Sequence, residues 1–302
     1  MGKKRNLLNF LSDRLLSEHT RRKAEKVILN VALISFLAHV GVIYLMKFGF
    51  LHLPSNWELL KNPISAIYTP FSFILIYEVY LLIYYLPKSF TTYINKQYQI
   101  ITLIIIRKLF KDLSDLELTS NWFEIKGDLQ FTYDILASVI LFYLIYLFQK
   151  QGKRNLELQV QLQPVIERFV NTKKLIAIVL IPLFFIMALF TLFDWFSAIS
   201  FSANDLPSFE TINNLFFEHF FTVLILVDVV LLLISFFYTD RFHKIIRNSG
   251  FVISTILIRI SFGVSGLIST VLIVVAVLFG LAIITIHNQY EKNPLPDNEY
   301  IE

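Results

Sequence analysis

Six stretches of this chain, 27–48, 66–87, 129–149, 174–197, 214–238 and 264–286, run for about 20 residues each with few or no charges. At about 1.5 Å per residue, such a run crosses the roughly 30 Å hydrocarbon core of a bilayer as a helix. Lipid cannot hydrogen-bond an exposed backbone, so only helices and closed barrels span it. The runs are continuous rather than alternating, which argues against a barrel. With 56% hydrophobic and only 17% charged residues, the chain is unlike a soluble domain of its length. The expected fold is therefore all-α: a polytopic transmembrane helical bundle, multi-pass, with the lipid bilayer as its first partner. The preference for Ile, Phe, Asn and Lys points to a bacterial cytoplasmic membrane.

Two further segments, about 93–110 and 244–262, are apolar but shorter, and each holds an arginine. The first contains "IITLIIIRKLF" (100–110) and the second "VISTILIRISF" (252–262). These phrases belong to a longer internal match. "FSFILIYEVYLLIYYL" (71–86) aligns without a gap on "FTVLILVDVVLLLISF" (221–236). Phe71 then meets Phe221, and Glu78 meets Asp228. Arg107 meets Arg259 and Phe110 meets Phe262 at almost the same offset. An acid and an arginine in common register are much rarer than apolar similarity alone, so two tandem repeats of about four helices are expected. The domains expected are a cytoplasmic amphipathic segment 1–26, a first repeat 27–150, a polar linker 151–173, a second repeat 174–288 and a polar tail 289–302. Leu8, Leu11 and Leu15 share one helical face, which suits the N-terminal segment to the membrane surface.

Lys and Arg collect in cytoplasmic loops. If only the six clear runs cross, the inner loops hold 15 basic residues and the outer loops 10. If the arginine segments cross as well, the ratio becomes 20 to 3, with the N-terminus inside. The acidic stretch 111–128, which carries Asp112, Asp115, Glu117, Glu124 and Asp128, then lies outside. Eight crossings in two parallel repeats are preferred. A third arrangement is one long helix from 251 to 286.

In the eight-crossing arrangement Glu78 and Arg107 lie at matching depth on consecutive helices, as do Asp228 and Arg259. An isolated charge at mid-membrane costs several kcal/mol, so such groups face one another or water. Pairs Glu78–Arg107 and Asp228–Arg259 are expected inside the bundle, either as locks on helix register or as part of an ion or proton pathway. Secondary polar candidates are His39, Asp134, Asp194 and the Glu218–His219 pair. Asp134 and Asp194 fall near run ends, where interfacial solvation accounts for them.

Four-helix repeats with an acid on the second helix and a deeper arginine resemble the voltage-sensor modules of ion channels, and two in tandem resemble some cation channels. The resemblance implies an ion-transport protein with the four paired charges as its centre. The pattern departs in having one arginine per repeat, on the third helix, and no selectivity-filter loop of the TVGYG kind.

No cysteine is present, which removes disulfides, thiolate metal sites and cysteine nucleophiles. The nucleotide-binding loops, H-E-x-x-H and G-x-S-x-G are all missing, and no paired histidines stand at metal spacing. An enzyme, a cofactor and a resident metal are not expected. The net charge of +4 sits in loops and is no nucleic-acid footprint. "DRFHKIIR" (240–247) reads as a contact for anionic lipid headgroups. The expectation is a transport- or channel-like protein moving ions or a small solute. The alternative is a non-transporting scaffold or assembly subunit, either a homo-oligomer or bound to a membrane-protein partner.

Overall fold

The computed structural model describes residues 10–50, 66–115, 126–156, 164–201, 209–239, 241–264 and 266–293. Among these, the regular structure is helical throughout. A short helical turn over 10–15 precedes α1 (Glu18–Lys47). There follow α2 (Tyr68–Tyr85), α3 (Phe90–Asp115), α4 (Lys126–Leu156), α5 (Pro164–Phe201), α6 (Phe209–Phe236), α7 (Phe242–Ser261) and α8 (Leu267–Lys292). Five stretches are long and apolar enough to cross a membrane: Phe10–Lys47, Leu129–Gly152, Glu167–Phe190, His219–Phe236 and Leu267–Lys292. Thr69–Tyr85 is apolar but shorter. These helices are compatible with an integral membrane protein.

Local chemistry explains several boundaries. Ser17 caps α1, its hydroxyl accepting from the Thr20 amide, and Glu18 follows in the first turn. Residues 18–26, expected to belong to a separate surface segment, therefore form the opening turns of α1. The arginine segments are continuous helices rather than short or unwound pieces. α3 has 26 residues and α7 has 20, about 39 and 30 Å. The single long helix over 251–286 is not formed. α7 ends at Ser261, and Gly266 stands at φ 78° before α8. That left-handed conformation is open to glycine at little cost and stops the helix from running on. Residues 1–9, 116–125, 157–163 and 294–302 lie outside the described residues, and with them Leu8, Glu117, Glu124 and most of the tail.

The chain divides into two units. Unit 1 comprises Met1–Pro87, Leu103–Ile135 and Lys174–Glu218. Its closest helix pair is α1 against α2; Ile43 on α1 and Leu75, Val79 and Leu82 on α2 are buried. The other side of α1 exposes Leu29, Leu33, Ile34 and Leu37, a large apolar surface of the kind lipid covers.

Unit 2 comprises Lys88–Thr102, Leu136–Lys173 and His219–Glu302. Its closest pair is α7 against α8. Tyr98 meets Phe148 edge to face and Phe148 meets Phe251 at a tilt in its core, with centroids 5.0 and 5.5 Å apart. The Tyr98 and Ser254 hydroxyls share a hydrogen bond of 2.6 Å, and Ser254 donates to the Ala276 carbonyl at 2.6 Å. Several helix ends gather at one end of this unit. Lys173 Nζ, near the start of α5, donates to the Lys88 carbonyl at 3.0 Å and sits over the Phe90 and Phe169 rings. Phe169 contacts Tyr238 at 5.3 Å, and Asn288 donates to the Gln151 carbonyl at 3.1 Å. Lys173 is only 2% exposed, and its ammonium is held by one carbonyl and two ring faces.

Candidate functional site

Glu78, Arg107, Asp228 and Arg259 form two pairs, one in each unit. In unit 1, Glu78 on α2 is buried, and Arg107 on α3 donates to it through Nη2. Arg107 Nη1 also reaches the Phe71 carbonyl at 3.4 Å. The helical period sets this meeting. Phe71 and Glu78 are seven residues apart, two turns on one face of α2. The Phe71 and Phe110 rings close the same face at 5.5 Å.

In unit 2, Asp228 on α6 and Arg259 on α7 pair at 2.8 Å, with side chains 1% and 2% exposed. Two residues from the first half of α3 complete the site. Tyr93 donates its hydroxyl to Asp228 Oδ1 at 2.9 Å. Gln97 donates to Oδ2 at 3.3 Å and accepts from Arg259 Nη2 at 3.0 Å. Phe221 and Phe262 stack at 5.6 Å beside this pair. Both units thus carry the same four-residue motif: a phenylalanine, an acid seven residues on, an arginine, and a phenylalanine three residues beyond it.

Charge is balanced at the Asp228 site, one carboxylate against one guanidinium, but hydrogen bonding is not complete. Arg259 Nη1 is buried with no acceptor among the described residues, and so is Arg107 Nε in unit 1. A buried N–H without a partner costs about 1–3 kcal/mol. Water or a polar ligand would relieve it.

The secondary candidates fare differently. Asp134, expected at a solvated interface, is 2% exposed and is held by Lys108 at 2.9 Å and by Gln130 at 2.9 Å. One turn of α3 thus aims Arg107 at Glu78 and Lys108 at Asp134, so burial replaces solvation there. His39 Nδ1 lies 2.5 Å from the Thr69 hydroxyl. His219 is exposed. The side chains of Asp194 and Glu218 lie outside the described residues.

Sequence reasoning missed Tyr93, Gln97 and the approach of His243 to His287. Neither Tyr nor Gln is unusual in a helix, and the two histidines are far apart in the chain. The one available signal was the polar face "TTYINKQYQ" (91–99) at the start of α3. No family model matches this chain, and no match is found among curated proteins or solved structures.

Proposed function

We propose an eight-crossing integral membrane protein, two related four-helix repeats that move an ion or small solute past paired charges. Three observations support the architecture. α3 and α7 are long enough to cross. The phenylalanine–acid–arginine–phenylalanine motif recurs in both units. Lys173 meets Lys88 at the end of unit 2, where Tyr238 and Gln151 also gather. A six-crossing chain would set the segments around 88 and 173 on opposite faces.

The buried Asp228 site carries the transport reading. Arg259 presents an N–H with no acceptor among the described residues, beside a carboxylate, a tyrosine hydroxyl and an amide. A guanidinium fully matched to its acid would serve as a lock alone. One unmatched donor in an otherwise paired cluster is a place for water or a permeating species. The rival is a scaffold or assembly subunit. It is favoured by Asp228 already having both oxygens engaged, which is what a register lock requires.

Flux separates the two. Purified protein in liposomes is assayed with protons, alkali cations and small anions, beside Asp228→Asn and Glu78→Gln variants that insert normally. Transport predicts a measurable flux that Asp228→Asn changes by about tenfold or more, equivalent to about 1.4 kcal/mol. No flux over that panel, together with a stoichiometric partner lost on Arg107→Ala, would leave the scaffold.

A further inference from the structure

Away from the paired charges, at the end of unit 2, three side chains of metal-ligating type converge. His243 lies in the first turn of α7; His287 and Glu291 lie one turn apart near the end of α8. Their ligand-capable atoms are all within 4.8 Å of one another. His287 Nε2 is 3.3 Å from Glu291 Oε1. The two imidazoles stack with centroids 5.1 Å apart, and the Tyr290 ring stacks with His243 at 6.4 Å. His287 is 2% exposed. His243 Nε2 and His287 Nδ1 are both buried with no hydrogen-bond partner among the described residues. A bound cation would satisfy the partnerless His243 Nε2 and draw on the Glu291 carboxylate that lies beside His287 Nε2.

From this geometry we infer that His243, His287 and Glu291 form a binding site for a divalent transition-metal ion of the zinc class. The surrounding charge selects the class. Arg241 and Lys244 flank the site, and Arg247 Nη1 lies 3.0 Å from His287 Nε2. Against that positive field a single carboxylate cannot hold calcium or magnesium, which need many oxygen ligands. Imidazole nitrogens hold zinc, nickel and cobalt through stronger bonds. Ligation through His287 Nε2 requires Arg247 Nη1 to withdraw from that nitrogen's lone pair, toward Asn248 Oδ1, which Nε and Nη2 already contact at 3.2 and 3.1 Å. A tetrahedral ion with bonds of about 2.0–2.2 Å needs ligand atoms about 3.4 Å apart. Closing from 4.8 Å asks for a shift of roughly 1.5 Å, within reach of His243 and Glu291, which are half-buried at helix ends. Three protein ligands leave a fourth position for water.

The test uses the full chain in detergent, purified without a histidine tag, stripped with chelator and titrated with zinc chloride by calorimetry. One zinc per chain is expected. His243→Ala and His287→Ala should each weaken binding by at least about 100-fold, the upper end of what losing a group that merely hydrogen-bonds a ligand costs. His19→Ala, at a histidine remote in sequence, should leave it unchanged. If His287→Ala does not fold, His243→Ala carries the comparison. X-ray absorption on the zinc-loaded natural chain gives a separate reading, with scattering from two imidazoles expected. Absent stoichiometric binding, equal affinity in His243→Ala, or a shell without imidazole would each overturn the inference. None of these readouts depends on flux, so failure here leaves the transport proposal standing, and the reverse holds too.

Discussion

Arg259 shows how one side chain can be costly alone and stable in company. Its side chain is 2% exposed, and its Nη2 serves both Asp228 and Gln97. Removing one member of a buried pair strands the other charge, at about 3–5 kcal/mol. Arg259→Ala should therefore lower unfolding stability in detergent by about that amount. The double variant Asp228→Leu/Arg259→Met should recover most of the loss, because it removes both charges and keeps volume. Denaturant unfolding of the three proteins checks the ordering; a double variant less stable than Arg259→Ala would show that the pair is worth more than its desolvation. Arg107 differs in degree. Removing it leaves Glu78 buried without that donor, whereas Asp228 keeps Tyr93 and Gln97 when Arg259 is removed, so stranding Glu78 should cost at least as much as stranding Asp228.

At the level of helices, close approach of α7 and α8 depends on residues without side chains. A Cβ on Gly280 would run into Tyr98 Oη and come within 3.2 Å of Ser254 Oγ. A Cβ on Gly250 would meet Ile283 at 2.8 Å. Helices in lipid gain no hydrophobic driving force from one another, so tight backbone packing through small residues does that work. Gly280→Ala should break the Tyr98–Ser254 hydrogen bond and destabilise the protein by about 1–3 kcal/mol. Tyr98→Phe removes the clashing oxygen, so Gly280→Ala should cost distinctly less in that background. Thermal unfolding of the four proteins in the cycle gives the coupling; strict additivity would mean that the glycine is dispensable to this contact.

For the whole molecule, the arrangement of crossings is the decisive property, and the cysteine-free chain makes it accessible. A single Ser120→Cys variant, between α3 and α4, should react with a membrane-impermeant maleimide from outside intact cells. Ser249→Cys, on the first turns of α7, should be protected until lysis. Outside labelling at both positions would remove the parallel repeats and with them the matched depth of the two charge pairs.

Much of the architecture was legible because lipid is a severe solvent. It forces backbone hydrogen bonds into helices and makes every buried charge conspicuous, so run length and the shared register of Glu78, Arg107, Asp228 and Arg259 could be read along the chain. α3 and α7 were harder to read as full helices. Their polar first turns (Thr91 to Gln99 in α3, His243 to Asn248 in α7) face protein, and apolar length alone undercounts such helices. Asp134 was misjudged for the same reason, since nothing local shows that Lys108 will turn toward it. Tyr93 and Gln97 joined Asp228 only through contacts between helices distant in the chain, and His243 met His287 only because the start of α7 packs against the end of α8. Helical period decides which residues share a face. Which faces then meet is decided by packing: glycines that admit a neighbour, ring stacks that fix rotation, and buried polar atoms that accept only certain partners.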